Sequence, residues 1–320
     1  MPLPEVCVPE VSMSVAESRS AQTGIAEYPK DERLEQRLRS MMWKQWLLCK
    51  TITPLQAIFS PLRKEAFGII TYHRTAATAA NDTGLLNVGP STFRQQMSGL
   101  LKLGYEPWTL RKVVEHQNAG AEIPRNVFVV VFDDGYENNY LYAFPILQEL
   151  QIPATIFMAT AYLDSDQPFP FDDWTAKNYE SVSPESWRPL ATKQCEAMLA
   201  SGLVDIGSHT HTHRDFRMAP SEFAADLKTS QETLRAKFGF SDATFSFPYG
   251  FLSDDLIDHV RQSTMLCCLS AECTLVTPAD DCYHWGRFGA TEMDSARTLA
   301  AKLDGWYNFI RSGWRRSRGR

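Results

Sequence analysis

Short, almost continuously apolar runs alternate along this chain with amphipathic stretches. Val127 to Phe132 (VFVVVF) is β-branched and aromatic throughout, the pattern of a strand buried on both faces in a parallel sheet. Phe67 to Tyr72 (FGIITY) and Ala154 to Thr160 (ATIFMAT) repeat it. Ser91 to Leu103 reads as a helix with a stripe of Phe93, Met97, Leu100 and Leu101. Ser91 is placed to cap it and Gly104 to end it. Leu110 to His116 and Leu141 to Leu150 are further helical segments. Beyond them, helices near Thr192–Ser201, Ser221–Phe238 and Asp254–Gln262 alternate with strands at Val204–Gly207, Ala243–Ser246 and Met265–Leu269. An amphipathic helix, Ser295 to Ile310, follows. Strand and helix alternating at this spacing predict one α/β domain over about residues 65–310 with a parallel sheet.

The ends differ from this domain. Residues 1–30 carry Pro, Ser, Glu and Ala without periodicity and read as a mobile tail. Over residues 31–62 we expect a helical extension, because Leu34, Leu38, Met41, Met42, Leu48 and Ile52 recur near helical spacing from Asp31 to Ile58. We read it as packed over the domain. Trp43, Trp46 and the basic residues around them would also suit a membrane headgroup boundary. Residues 311–320 form a basic tail with Arg311, Arg315, Arg316, Arg318 and Arg320.

Composition removes several classes of function. Of 320 residues, 44% are hydrophobic and 22% charged, which supports a sizeable core and excludes wholesale disorder. The net charge of −6 disfavours nucleic acid as a partner. No run approaches the ~18 apolar residues of a transmembrane helix. Seven cysteines at 7, 49, 195, 267, 268, 273 and 282 form no CxxC pair, so we expect buried thiols rather than a disulfide framework or a cysteine–zinc site. With no basic-then-apolar leader visible, the expected location is cytoplasmic, with peripheral membrane contact as the variant.

Candidate chemistry collects where predicted strands end, which is where parallel α/β folds bind ligands. Phe132-Asp133-Asp134-Gly135 puts two carboxylates after the VFVVVF strand. One can hold a metal while its neighbour faces a water, although Asp-Gly is also ordinary turn chemistry. Ser208 to His213 (SHTHTH) places three of the seven histidines within five residues, more imidazole than a solvated loop needs. The ligating pair is open from spacing alone: His209 with His213, His209 with His211, or His211 with His213. Asp134 with two histidines would form a site with open positions, as catalytic metals require. Phe245 to Gly250 (FSFPYG) could aim a turn N–H at a developing oxyanion. His73 ends the FGIITY strand on the same side of the fold.

Together these motifs resemble those of the polysaccharide deacetylases, the carbohydrate esterase family with the NodB homology domain. Phe132 to Gly135 is similar to the family's FDDG motif, Ser208 to His213 to its SH(S/T)xxH motif, and Phe245 to Gly250 to its third motif. Pro153 to Phe157 (PATIF) resembles the strand after the first motif, and the likeness spans about residues 67–310. The resemblance implies an irregular (β/α) barrel of the NodB homology type, here with an N-terminal helical extension. It implies Asp133 as general base and Asp134, His209 and His213 as metal ligands, with His211 a neighbour. It implies a Tyr249 backbone N–H as oxyanion donor.

Two departures stand out. The family's third motif usually begins with an arginine supporting the catalytic aspartate, and Ser246 occupies that position. The usual LxxxH motif near the C-terminus is not clear here, but Ile69-x-x-x-His73 resembles it at the other end of the domain. A circularly rearranged subgroup acting on poly-N-acetylglucosamine is similar in both respects. His73 is then the candidate general acid, with His284 as its rival. Pro168 to Trp174 (PFPFDDW) occupies the insertion that in similar bacterial sugar-processing proteins lines the substrate pocket, which makes Asp172 and Trp174 candidate sugar contacts.

The implied activity is metal-dependent removal of N-acetyl, or O-acetyl, groups from an N-acetylhexosamine glycan. One carboxylate and two imidazoles suit zinc first, then cobalt or nickel. Competing readings are hydrolysis of a non-sugar C–N bond, such as a formamide or cyclic imide, and a non-catalytic metal-containing carbohydrate-binding protein.

Overall fold

The strand signal at VFVVVF rests on what each side chain meets. In the computed structural model, β3 (Val127–Phe132) is buried at every residue. Its odd-numbered members, Val127, Val129 and Val131, join Ile69, Phe157, Cys267, Leu269 and Trp285 in one apolar cluster. Its even-numbered members, Phe128, Val130 and Phe132, join a second cluster with the surrounding helices. The two-residue period of a strand therefore separates a barrel interior from a helix-packed exterior. The structure describes residues 40, 44, 46, 47, 50, 51, 66–77, 86–172, 179 and 182–309.

Element order follows the expected alternation. β1 (Gly68–Tyr72) leads to α1 (Pro90–Lys102), a two-residue β2 (Glu106–Pro107), α2 (Leu110–Asn118) and β3. Then come α3 (Phe144–Leu150), β4 (Ala154–Met158), α4 (Thr192–Ala200), β5 (Val204–Ser208), α5 (Pro220–Phe238), β6 (Ala243–Ser246), α6 (Asp254–Arg261) and β7 (Met265–Leu269). A short β8 (Phe288–Gly289) and α7 (Ala296–Leu303) complete the domain. The sheet order is β7-β6-β5-β4-β3-β1-β8, with β2 on β3. Every ladder is parallel. Residues 285–289 close the curl: Trp285 bridges Leu269 of β7, while Phe288 and Gly289 pair with Ile70 and Thr71 of β1. The result is an irregular (β/α) barrel. Trp108 and Leu110, Val113 and Val114 of α2 join the interior cluster and plug the end where the strands begin.

Three element expectations change. Ser91 does not cap α1. Gly89 precedes the helix, and the Glu292 carboxylate instead accepts from Gly89 N at 2.7 Å and Thr92 Oγ1 at 2.6 Å. The Leu141–Leu150 helix starts as a π-helical turn, Asn139–Ala143, in which Phe144 N donates to Asn139 O. Pro145 lacks the N–H that would bond Leu141 O in an α-helix, so the backbone widens there. The terminal helix breaks at Asp304–Gly305, where Gly305 has φ 79°, and helix resumes over residues 306–309.

In the expected N-terminal extension, residues 40, 44, 46, 47, 50 and 51 are helical. Trp46 Nε1 donates to Met293 O at 2.6 Å, tying this segment to the β8–α7 connection. The tails at 1–30 and 311–320 lie outside the described residues, as does Trp174. Cys195, Cys267, Cys268, Cys273 and Cys282 are free thiols, all but Cys282 buried. Among the described residues no helix is long and apolar enough to cross a membrane.

Candidate active site

The inward parity that fills the barrel also delivers the site. Counting on by twos from Ile69, Val131 and Trp285 gives His73, Asp133 and Arg287, and Asp133 N still bonds Tyr72 O at 2.9 Å. Asp134 then turns left-handed (φ 72°), followed by Gly135 (φ 85°). That reversal aims two adjacent carboxylates in different directions. Gly135 is required by more than its φ, since a Cβ there would stand 3.1 Å from Met158 Cγ.

The histidines reach Asp134 from the end of β5. His209 N bonds Met158 O at 2.9 Å. The loop then takes left-handed steps at Thr210 (φ 65°) and His213 (φ 59°). His209 Nε2 lies 3.5 Å and His213 Nε2 3.3 Å from Asp134 Oδ1. One ligand atom from each residue falls within 4.8 Å of the others. His211 faces elsewhere, its Nδ1 being 3.0 Å from Thr160 Oγ1.

These three donors fit a divalent cation. His209 Nδ1 is 2.7 Å from the Ser246 carbonyl, which can only accept, so Nδ1 carries the proton and Nε2 a lone pair. Burial lowers His209 to about 4 and His213 to about 3, leaving both imidazoles neutral at pH 7. The His209 lone pair would thus face a carboxylate oxygen, a repulsive arrangement that a cation makes attractive.

Asp133 stands beside this set. Arg287 grips it with Nη1 at 2.8 Å from Oδ1 and Nη2 at 2.7 Å from Oδ2. Ser246 Oγ lies 3.5 Å from Oδ1. Burial would raise the Asp133 carboxyl, but Arg287, His209 and His73 override it and hold it well below the usual carboxylate range. Asp134 is raised, chiefly by burial against the opposing pull of His73 and His209. His73 Nε2 is 3.8 Å from Asp133 Oδ2, and a quarter of its side chain (25%) stays accessible. Burial lowers His73, while Asp134 and Asp133 pull it back up.

The remaining candidates divide. Tyr249 takes φ 58° in the Pro248–Gly250 turn, with its ring 4.7 Å from that of His213. Asp172 is buried, accepting from Tyr136 OH at 2.7 Å with Arg74 Nη1 at 3.8 Å. Its neighbour Phe171 stacks on His213 at 3.7 Å between ring centroids. His284 is not brought to Asp133: its Nε2 lies 3.8 Å from Glu272. It sits one residue out of the inward register that Trp285 and Arg287 share. Sequence reasoning missed Arg287, and its signal was there: an arginine two residues beyond an inward tryptophan, in a segment that bridges both ends of the sheet.

This constellation stands at the strand ends of a parallel (β/α) barrel, and residues 120–267 match the family model described as polysaccharide deacetylase. Among curated proteins, a poly-beta-1,6-N-acetyl-D-glucosamine N-deacetylase of Staphylococcus epidermidis is 26% identical over 229 residues, covering 69% of this chain and 73% of that protein. Its namesake in Staphylococcus aureus is 25% identical over 230 residues, covering 69% and 73%. Two solved structures share the fold. IcaB from Ammonifex degensii has a TM-score of 0.63 at 22% identity, covering 75% of this chain and 97% of its own. Streptococcus pyogenes deacetylase PplD, solved with acetate, has 0.63 at 19%, covering 75% and 99%. The family match ends before Arg287 and begins after His73, so both come from parts of the barrel outside the matched core.

Proposed function

We propose that this chain is a metal-dependent N-deacetylase of an N-acetylglucosamine-containing polysaccharide. The observation that carries this reading is the meeting of Asp134, His209 and His213 around one point, with a second, arginine-held carboxylate, Asp133, beside them. Pure binding has no use for that second carboxylate. The substrate class comes from the curated relatives, which are poly-beta-1,6-N-acetyl-D-glucosamine N-deacetylases.

Asp134, His209 and His213 would hold the cation, and one carboxylate with two neutral imidazoles favours zinc, with cobalt or nickel as alternatives. When bound, it supplies Lewis acidity towards the amide carbonyl and the attacking water. Asp133 accepts the proton of that water as its oxygen bonds the carbonyl carbon. Arg287 keeps Asp133 ionised and aimed, the task its motif usually gives to an arginine at the Ser246 position. The Tyr249 N–H donates to the oxyanion. His73, carrying a proton, delivers it to the departing nitrogen as the C–N bond breaks. Acetate and a free amino sugar result. Asp172, which accepts from Tyr136 OH, and Trp174 are the proposed sugar contacts.

The test is acetate release from β-1,6-linked N-acetylglucosamine oligomers by zinc-loaded protein, alongside formamide and cyclic imide substrates. Release from the oligomers alone supports the reading. Turnover of only the small amides, or glycan binding without acetate under zinc, cobalt and nickel, overturns it.

A further inference from the structure

We propose that Asp226, on α5, is a positioning residue for the cation site: its carboxylate holds the loop that presents His213. This rests on the reading of Asp134, His209 and His213 as ligands. The loop has to bend sharply for two imidazoles of one short segment to meet the same carboxylate oxygen. It does so with left-handed backbone at Thr210 (φ 65°) and His213 (φ 59°), neither of them glycine. Such conformations persist only where the surroundings hold them.

The surroundings grip the loop from two sides. Its carbonyls are taken by the segment after β4: Thr160 N bonds Thr210 O at 3.2 Å, and Ala161 N bonds His211 O at 2.9 Å. Tyr162 OH donates to Thr212 O at 3.1 Å. Its donors are taken by Asp226. His211 N donates to Oδ1 at 2.6 Å, and Thr212 N to Oδ2 at 3.2 Å. Thr212 Oγ1 donates to Oδ2 at 2.5 Å. One turn further along α5, Ser230 Oγ lies 2.8 Å from Ser208 Oγ at the base of the loop. A single α5 face therefore anchors both ends of the bend. Hydrogen bonds to a carboxylate are stronger than neutral ones, so Asp226 is the dominant anchor.

The two histidines depend on it unequally. His209 is fixed independently, by its N–H to Met158 O and its Nδ1 at the Ser246 carbonyl. The His213 backbone is held by its N–H to Thr210 Oγ1 at 2.9 Å, a bond within the same loop, and its ring by contact with Phe171 and Tyr249. Without Asp226, the N–H groups of His211 and Thr212 lose their acceptor and the left-handed steps lose their restraint. The His213 arm is what moves.

The experiment measures Zn2+ affinity by chelator competition, and the visible d–d spectrum of the Co2+-loaded protein, in wild type, Asp226→Ala, Asp226→Asn, Asp134→Ala and Thr229→Ala. Thr229 lies on α5 with its hydroxyl bonded to Ala225 O and serves as the control. Circular dichroism at the assay temperature establishes that each variant is folded. Asp226→Ala should bind Zn2+ ten- to a hundredfold more weakly, the range for a group supporting a metal ligand, with an altered Co2+ spectrum. Asp226→Asn, which keeps one acceptor but turns an amide N–H2 towards Thr212, should fall between, and it carries the test if Asp226→Ala does not fold. Thr229→Ala should leave affinity and spectrum unchanged. Wild type taking up no stoichiometric Zn2+, or Asp134→Ala taking it up like wild type, would sink the ligand reading. With those two as expected, folded Asp226 variants that bind within twofold of wild type and keep its Co2+ spectrum overturn this inference alone.

Discussion

Arg287 and Asp133 pair across 154 positions of the chain. The family motif supplies its arginine from the strand carrying Ser246. Here the guanidinium arrives from the segment closing the barrel, and reaches both carboxylate oxygens. Because the pair is buried, Arg287→Ala leaves an unpartnered carboxylate and should cost about 3–5 kcal/mol of stability, read by urea unfolding. Asp133→Asn should bind zinc at full stoichiometry and lose on the order of 10²–10⁴-fold in kcat. Asp134→Ala should fail to retain zinc through gel filtration, as judged by metal analysis.

At the scale of elements, Thr109, Ser253 and Ser295 cap their helices locally, whereas α1 and α4 start on distant side chains that local patterns do not reveal. The residue before α4 is Ala191, which has no capping group. Asp164 serves instead: it accepts from Thr192 N and Thr192 Oγ1, each at 2.6 Å, with Lys237 Nζ at 3.0 Å. Burial opposes ionisation, but the Thr192 and Lys237 contacts together outweigh it and hold the Asp164 carboxyl below its ordinary value. A carboxyl lowered in the folded state contributes stability above its unfolded pKa and loses it as pH falls through its folded value. Asp164→Ala should therefore destabilise the domain by about 1 kcal/mol at neutral pH. The gap to wild type should close on acidification below roughly pH 4. Thermal melts of both proteins across that range check the sign. Ser91 and Glu292 teach the same lesson at α1: the nearby serine looked like the cap, and a glutamate 201 positions later provides it.

Across the whole molecule, the closure at residues 285–289 joins stability to function. Trp285 is fully buried, and its backbone bonds Cys268 O at 3.1 Å and Ser270 N at 2.8 Å. Two residues on, the same segment carries Arg287. Trp285→Ala should cost about 3–5 kcal/mol through the cavity left in the barrel, and should also slow turnover by loosening the hold on Asp133. A variant that melts early yet keeps full kcat at low temperature would separate the two roles. Cation binding to the folded state alone raises stability by about 2.7 kcal/mol at a hundredfold excess over Kd. Stripping the metal with a chelator should therefore lower Tm, and readdition should restore it.

Local pattern alone determined the alternation of buried strands and amphipathic helices, the placing of Asp133, Asp134, His73 and the histidine cluster at strand ends, and the class of chemistry such residues support. Each of these depends on spacing within a few residues, where the periods of strand and helix act directly. Tertiary structure alone decided which imidazoles meet Asp134, because left-handed backbone at Thr210 and His213 bends the loop in a way no periodicity encodes, and His211 meets Thr160 instead. It likewise decided that Arg287 rather than His284 faces Asp133, and that Glu292 and Asp164 cap helices far from them in the chain. Those contacts join residues that only the curling of the sheet brings together. A neighbour created by closure leaves no local trace in the order of amino acids.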